Sequence, residues 1–350
     1  MAETIPKTQK AAIFDSIGSP IEIREIPVPE PGAEQVLIKI AYSGVCHSDL
    51  HLWLGDFPVQ GTCPLVGGHE GVGHIVKIGS NVTNVKVGDR AGIKWINQTC
   101  LCCEYCKRGF EQNCENAGHS GCSINGSFQQ YALINATEAS KIPDNVDLAT
   151  AAPILCAGST VYRALKESKV QPGQTVAITG AGGGLGSMAI QFAKAMGMRV
   201  VAIDLGAAKE EHCKKLGAET YVDVSKHPDL VETVRKATNG GPHGVLHIAT
   251  AEKPLELATQ YVRTRGTVVL VSLPKDAQLK ADVFWTVFRA VTIKGSYIAS
   301  RQDTDEALDF LSRGLVKVPI EILPLSSLPT VYDRMLKGEQ IGRAVLDVWK

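Results

Sequence analysis

The sequence predicts an α/β protein in which a doubly wound parallel sheet is inserted into a β-rich domain built from both ends of the chain. Three observations carry this. The chain is 350 residues long, against roughly 150 for a typical single domain, so two cores are expected. Its first half is a series of short β-like runs broken by Gly and Pro. Beyond residue 156, strand-like and helix-like runs alternate at the spacing of βαβ units.

In the first half, Val36–Tyr42 alternates apolar and polar residues, the pattern of a half-buried strand, and Val72–Ile78, Arg90–Ile93 and Ser127–Leu133 are further strand runs. In the second, Val176–Thr179 leads into a glycine turn. Ser187–Met196 places Met188, Ile190, Phe192, Ala193 and Met196 at helical spacing. Then come strand Val200–Asp204, a helix ending near Leu216, strand Tyr221–Val224 and helix Leu230–Thr238. Gly244–Ile248, Thr267–Val271 and Val291–Lys294 read as strands, Thr304–Arg313 and Ser327–Leu336 as helices, and Ala344–Val348 as a last strand. The expected boundaries are 1–155 with 296–350 for the β-rich domain and 156–295 for the doubly wound one.

Composition narrows the function classes. Hydrophobic residues are 44% and charged residues 21%, which excludes a wholly disordered chain. Lys+Arg and Asp+Glu are both 36, so broad phosphate neutralisation, and with it a nucleic-acid partner, is not expected. No apolar run approaches ~18 residues, so no membrane partner is expected either. The opening MAETIPKTQKAAIF has neither an apolar signal core nor an Arg-rich face, which makes the cytoplasm the expected compartment. Thiols there stay reduced, so the 10 cysteines are metal ligands, reactive groups or core filling.

Cys100, Cys103, Cys106 and Cys114 form C-x2-C-x2-C-x7-C. Such spacing lets a tight loop converge four thiolates on one tetrahedral ion, and four thiolates leave no open position. Zinc is the expected occupant. A [4Fe–4S] cluster uses the same donors, unliganded loop cysteines are the bland alternative, and Cys102 stands beside Cys103 as a substitute ligand. Cys46, His69 and Cys156 are joined by no local spacing, but together they have the composition of a catalytic zinc site with one open position.

The segment Thr179-GAGGGLGS-Met188 lies between a predicted strand and a predicted helix, the context of a dinucleotide turn. Glycines let the backbone approach a pyrophosphate, whose charge the helix N-terminus stabilises. The spacing is not the strict G-x-G-x-x-G; Gly180, Gly183 and Gly186 give G-x-x-G-x-x-G. Asp204 ends the next strand, where a carboxylate accepts bonds from ribose hydroxyls and would repel a 2′-phosphate, which points to NAD. Lys209 is either a ribose contact or a solvated lysine.

With these pieces assembled, the blocks YSGVCHSDLH, PLVGGHEGVG, GIKW, the cysteine run, PILCAGSTVY, ITGAGGGLGS, GSYIASRQDTDEALDFLSRGLVK and IGRAV resemble, in order and over nearly the whole chain, the zinc-containing alcohol dehydrogenases of the medium-chain dehydrogenase/reductase superfamily, above all their yeast and fungal branch. The resemblance implies a GroES-like catalytic domain and a Rossmann domain, NAD as cofactor, and two zinc ions per chain. Cys46, His69 and Cys156 would hold the catalytic zinc, with Glu70 approaching it when substrate is absent, and Asp49 would orient His69. Cys100, Cys103, Cys106 and Cys114 would hold the structural zinc. His47 would meet the pyrophosphate, and Asp204 and Lys209 the adenosine ribose. Gly180, Gly183, Gly184, Leu185 and Gly186 would form the turn, with Val271, Leu273, Ser296, Ile298 and Arg343 as further cofactor contacts.

The resemblance also implies a mechanism. Zinc polarises the alcohol oxygen, Ser48 takes the proton, and the nicotinamide ribose and His51 pass it to solvent while hydride leaves for the nicotinamide. A homo-oligomer is implied, a tetramer favoured over a dimer, with subunits pairing near Val291–Ser300. Two substitutions bear on the substrate. Phe57 stands where ethanol-preferring relatives carry Trp, and Leu273 where the family has Met, while Trp95 is retained. A roomier pocket for longer or aromatic primary alcohols is expected. A specialised aldehyde or ketone reductase, or a polyol dehydrogenase, is the sister reading. A non-catalytic zinc and dinucleotide protein would not need Ser48 and His51, and a zinc hydrolase would not need the glycine turn with Asp204.

Overall fold

The structure, a computed structural model, describes residues 4–59, 61–340 and 342–350. Two compact units emerge: 1–157 with 299–312 and 318–350, and 158–298 with 313–317. The sequence boundary assigned Cys156 to the doubly wound domain. In the structure Cys156 belongs to the first unit, because the 3-10 turn Ala152–Leu155 before it is buried there.

The first unit is organised around strand Gln35–Gly44, which pairs with Gly71–Ile78, Tyr131–Asn135 and Arg343–Asp347 in a seven-stranded sheet among the described residues. Val36, Ile38 and Ile40 alternate onto one fully buried face of that strand. A second sheet joins Glu22–Pro27, Thr8–Phe14 and Leu65–Val66. The strand expected at Ser127–Leu133 lies instead at Tyr131–Asn135. The residues before it are drawn to the other sheet, where Ala12 donates to the Phe128 carbonyl and Gln130 donates to the Lys10 carbonyl.

The second unit holds six parallel strands in the order Thr220–Asp223, Arg199–Asp204, Thr175–Thr179, Gly244–His247, Thr267–Leu270, Thr292–Gly295. Strand order reverses between Thr175–Thr179 and Gly244–His247, and ligands of such sheets bind at the carboxyl ends beside that reversal. Every strand expected here forms within one residue of its expected ends. Helix Arg301–Ser312, in the first unit, starts three residues before the expected Thr304. Ser300 caps it: Asp303 N–H donates to Ser300 Oγ at 3.1 Å, and Ser300 N–H donates to the Asp303 carboxylate at 3.1 Å. Among the described residues no single helix is long and apolar enough to cross a membrane.

Candidate active site and metal centres

The open site begins at the end of strand Gln35–Gly44. Cys46, in extended conformation, is the N-cap of helix His47–Leu54, and its backbone N–H donates to the Asp49 carboxylate at 3.0 Å. The same carboxylate accepts from Gly68 N–H at 3.2 Å and meets His69 Nδ1 at 2.8 Å. One buried acid therefore ties the helix start to the loop carrying His69 and leaves His69 Nε2 facing the thiols. Nε2 lies 3.3 Å from Cys156 Sγ, and the sulfurs of Cys46 and Cys156 are 3.9 Å apart. Cys46, His69, Glu70 and Cys156 offer donor atoms all within 4.8 Å of one another.

The titration pattern follows from this crowding. The Cys156 thiol, then His69, hold Cys46 well below the usual thiol range against the opposing effect of burial. Burial works against charge on His69, but Asp49 outweighs it and raises His69 well above its usual value. Cys156 is pushed well up by Cys46 and by burial. Burial lifts Glu70 to about 7 even though Arg343 pulls it down. Glu70 is fully buried and pairs through Oε1 with Arg343, while its Oε2 has no hydrogen-bond partner among the described residues. Only a glycine fits opposite: a Cβ on Gly44 would lie 2.0 Å from Glu70 Oε2.

The closed site lies in the loop between strands Ile96–Gln98 and Gly118–His119. Cys100, Cys103, Cys106 and Cys114 all converge within 4.8 Å, while Cys102 is exposed and outside the group. The Cys103 amide donates to Cys100 Sγ at 3.3 Å, the Cys106 amide to Cys103 Sγ at 3.5 Å and the Cys100 amide to Cys114 Sγ at 3.5 Å. Backbone amides pull Cys100 down to about 6, whereas burial pushes Cys106 up to about 12.

Both donor sets fit zinc. A tetrahedral ion with Zn–S bonds of ~2.3 Å places its sulfurs ~3.8 Å apart. The sulfur separations are 3.9 Å between Cys46 and Cys156, 3.6 Å between Cys100 and Cys114, and 4.0 Å between Cys100 and Cys106. Three strong donors with a carboxylate oxygen close beside them suit a catalytic ion, and four thiolates suit a structural one.

The remaining predicted residues fall into two groups. On helix His47–Leu54, His47 is exposed and Ser48 and His51 are half-buried. Ser48 and His51 are three residues apart, so they share a helix face. Phe57 stacks on His51 with centroids 5.3 Å apart, and Trp95 meets His69 edge-on at 5.2 Å. Sequence reasoning missed Asp56, beside His51, and His119, whose ring is 5.1 Å from Trp95. The Gly55-Asp56 turn pair after the apolar stretch Leu52–Leu54 was the available signal for the first.

In the second unit the glycine turn follows strand Thr175–Thr179. Gly183 caps helix Gly184–Ala195 without a side-chain bond, which leaves the first amides for an anion. A Cβ on Gly186 would lie 2.4 Å from the Gly180 carbonyl oxygen, so close packing requires glycine there. Gly182 N–H donates to Asp204 Oδ2 at 2.8 Å, and Leu205 N–H and Lys209 Nζ donate to Oδ1, each at 2.8 Å. Val271 is buried, Leu273 is exposed in the loop after strand Thr267–Leu270, and half-buried Leu185 is the second residue of helix Gly184–Ala195. Ser296 Oγ has no partner among the described residues, and Ile298 adopts φ +40°. These groups sit at or just beyond the carboxyl ends of their strands, the edge where a dinucleotide binds.

Comparison with known proteins agrees. Residues 32–144 match the family described as alcohol dehydrogenase GroES-like domain, and residues 184–313 match zinc-binding dehydrogenase. Alcohol dehydrogenase 1 of Caenorhabditis elegans is 55% identical over 347 residues, covering 99% of each chain. The chain belongs to the zinc-binding alcohol dehydrogenases. As a member of that family it is an oxidoreductase with a GroES-like domain and a Rossmann domain, and its two donor groups are those of a catalytic and a structural zinc. Among solved structures, acetophenone reductase from Geotrichum candidum NBRC 4597, in complex with NAD, superposes with a TM-score of 0.87 at 30% identity, covering 99% of this chain and 98% of the other. A putative zinc-binding dehydrogenase from Sinorhizobium meliloti 1021, bound to NADP, has a TM-score of 0.88 at 26% identity, covering 98% of this chain and 100% of that one.

Proposed function

We propose that this alcohol dehydrogenase interconverts primary alcohols larger than ethanol with their aldehydes, using NAD. The observation that carries the chemistry is the helix His47–Leu54. It supplies Cys46 as its cap, Asp49 behind His69, and Ser48 and His51 on one face. When bound, zinc supplies a Lewis acid that lowers the pKa of an alcohol hydroxyl, and the nicotinamide supplies a hydride acceptor. Ser48 accepts the hydroxyl proton as its own hydroxyl proton passes on, and His51 carries a proton on toward water. Cys46, His69 and Cys156 hold the metal, and Asp49 keeps His69 in the tautomer that presents Nε2.

The preference for NAD rests on Asp204. Its carboxylate already gathers two amides and Lys209, and a 2′-phosphate would bring negative charge against it. Preference for larger alcohols rests on Phe57, which leaves less ring volume beside His51 than Trp would. The placement beside the yeast enzymes rests on the motif blocks alone; the relative named above is a nematode protein. A reducing compartment such as the cytoplasm suits six thiols that must stay free to bind metal.

A second copy of the chain is the expected protein partner. Val283, Phe284, Trp285, Val287 and Phe288 are each more than half exposed, and strand Thr292–Gly295 ends the six-stranded sheet with one edge unpaired among the described residues. Exposed apolar clusters and open edges are normally covered. A dimer through this face, doubled to a tetramer, is the arrangement the resemblance implies.

The test is NADH formation across ethanol, butanol, hexanol and benzyl alcohol with NAD and with NADP. Higher kcat/KM for hexanol or benzyl alcohol than for ethanol, with NAD preferred, supports the reading. A steady fall from ethanol onward, or preference for NADP, overturns the corresponding part.

A further inference from the structure

Helix His47–Leu54 ends in a specific way. Gly55, at φ +74°, donates its N–H to the Leu52 carbonyl at 3.3 Å, and Asp56 donates its N–H to the His51 carbonyl at 3.0 Å. These are the two bonds of a Schellman cap, in which the residue after the left-handed glycine is folded back beside the residue five positions earlier. Here those residues are Asp56 and His51. The side chains follow the backbone: His51 Nδ1 lies 3.3 Å from Asp56 Oδ2. The ring is also stacked on Phe57, with 28° between the planes. Gly55 is fixed in this role, since a Cβ there would lie 2.7 Å from Ile17 Cγ2 as well as face a positive φ.

We propose that Asp56 is a positioning residue for His51, holding the imidazole in one tautomer and one orientation for proton transfer. This rests on reading His51 as the proton carrier. With the Nδ1 proton donated to Asp56, the lone pair of Nε2 is the one left to accept a proton. In alcohol oxidation Nε2 takes the proton, and the imidazolium then carries hydrogens on both nitrogens, with Nδ1–H still bonded to Asp56. Nε2 next releases its proton to water. Asp56 remains ionised throughout, and none of its own covalent bonds is made or broken. A carboxylate that orients a histidine and stabilises its charged form is a recurring catalytic arrangement, and the corresponding amide favours the wrong tautomer. The other ring near His51 is His47, with centroids 6.4 Å apart, too far for a hydrogen bond.

The experiment is a double-mutant cycle on the zinc-loaded enzyme, reading the pre-steady-state burst of NADH formation. Asp56→Asn is expected to slow the burst about tenfold when His51 is present and less than twofold in a His51→Gln background. NADH affinity, measured by nicotinamide fluorescence, should stay within twofold, which separates lost positioning from a damaged cofactor site. Asp56→Glu should restore part of the rate. Asp56→Ser serves as a second variant if Asn unsettles the turn, with the same loss only in the presence of His51. Equal slowing in both backgrounds, or none in either, overturns the proposal. A wild-type burst in His51→Gln alone overturns the proton-carrier reading and this proposal with it, whereas a slow His51→Gln with a wild-type Asp56→Asn overturns only this proposal.

Discussion

Replacing Arg343 by Met tests how the open site is held together. Glu70 is 0% exposed and Arg343 5%, and they pair directly. Removing one partner of a buried ion pair costs about 3–5 kcal/mol, because the other charge is left uncompensated. For a unit of about 200 residues, with an unfolding entropy near ~0.4 kcal/mol/K, that lowers Tm by roughly 7–12 °C. The pH dependence is more diagnostic. Burial holds the Glu70 carboxyl up at about 7, against the downward pull of Arg343. Without the guanidinium it moves higher still. The folded carboxyl then binds its proton more tightly than the unfolded one. The resulting stability is fully present below the unfolded pKa and is lost as pH rises toward the folded pKa, at about 1.4 kcal/mol per pH unit. In the native enzyme that loss levels off near pH 7, and in the variant it continues. Between pH 7 and 8 the native protein, at its midpoint, still loses about 0.35 kcal/mol, so the gap in stability should widen by about 1 kcal/mol, or ~2 °C. Differential scanning calorimetry of both metal-free proteins at pH 6, 7 and 8 measures it. A pH-independent gap, or a Tm change below ~2 °C, would refute the account of the pair.

Further outcomes follow from the same physics. Cys46→Ala and Cys103→Ala should each lose one of the two zinc ions, read by metal analysis. The first should lose turnover with Tm changed little, and the second should lose several degrees of Tm, since a closed four-thiolate site is part of the fold. His247 is lowered to about 4 by burial, so the unfolded chain binds its proton between pH 6.5 and 4 while the folded one does not. Stability is thus lost as pH falls through that window, about 2 kcal/mol by pH 5, and urea titrations of His247→Gln at pH 7 and 5 should show a correspondingly smaller difference than the native protein. Trp285→Glu with Phe288→Glu should yield a smaller assembly by sedimentation while leaving the Asp204 network intact.

Local chemistry was legible in the sequence, and long-range chemistry was not. The four-cysteine loop announces itself by spacing, because its donors sit within 15 residues on one loop. The spacing could not choose Cys103 over Cys102; packing did, by leaving Cys102 exposed. The glycine turn was readable from its strand and helix flanks. The open site was not readable from spacing, because Cys46, His69 and Cys156 arrive from a helix cap, a loop and the end of a 3-10 turn, and only the motif resemblance joined them. Helix His47–Leu54 itself was missed: HSDLHLWL is eight residues long, and its apolar residues Leu50, Leu52, Trp53 and Leu54 crowd one end rather than repeating at helical spacing. Strand Ile320–Pro324 was missed for a similar reason, since five residues ending in Pro carry little pattern. The Glu70–Arg343 pair spans 273 positions and has no local signature.

The most direct test of the central claim is zinc-dependent turnover at the Cys46–His69–Cys156 site. Purified enzyme with both donor groups loaded should form NADH from a primary alcohol. Mild chelation that empties the open site should abolish turnover while far-ultraviolet circular dichroism stays unchanged, and added zinc should restore it. NADH formation that persists at the native rate after the ion at Cys46, His69 and Cys156 has been removed would contradict the account.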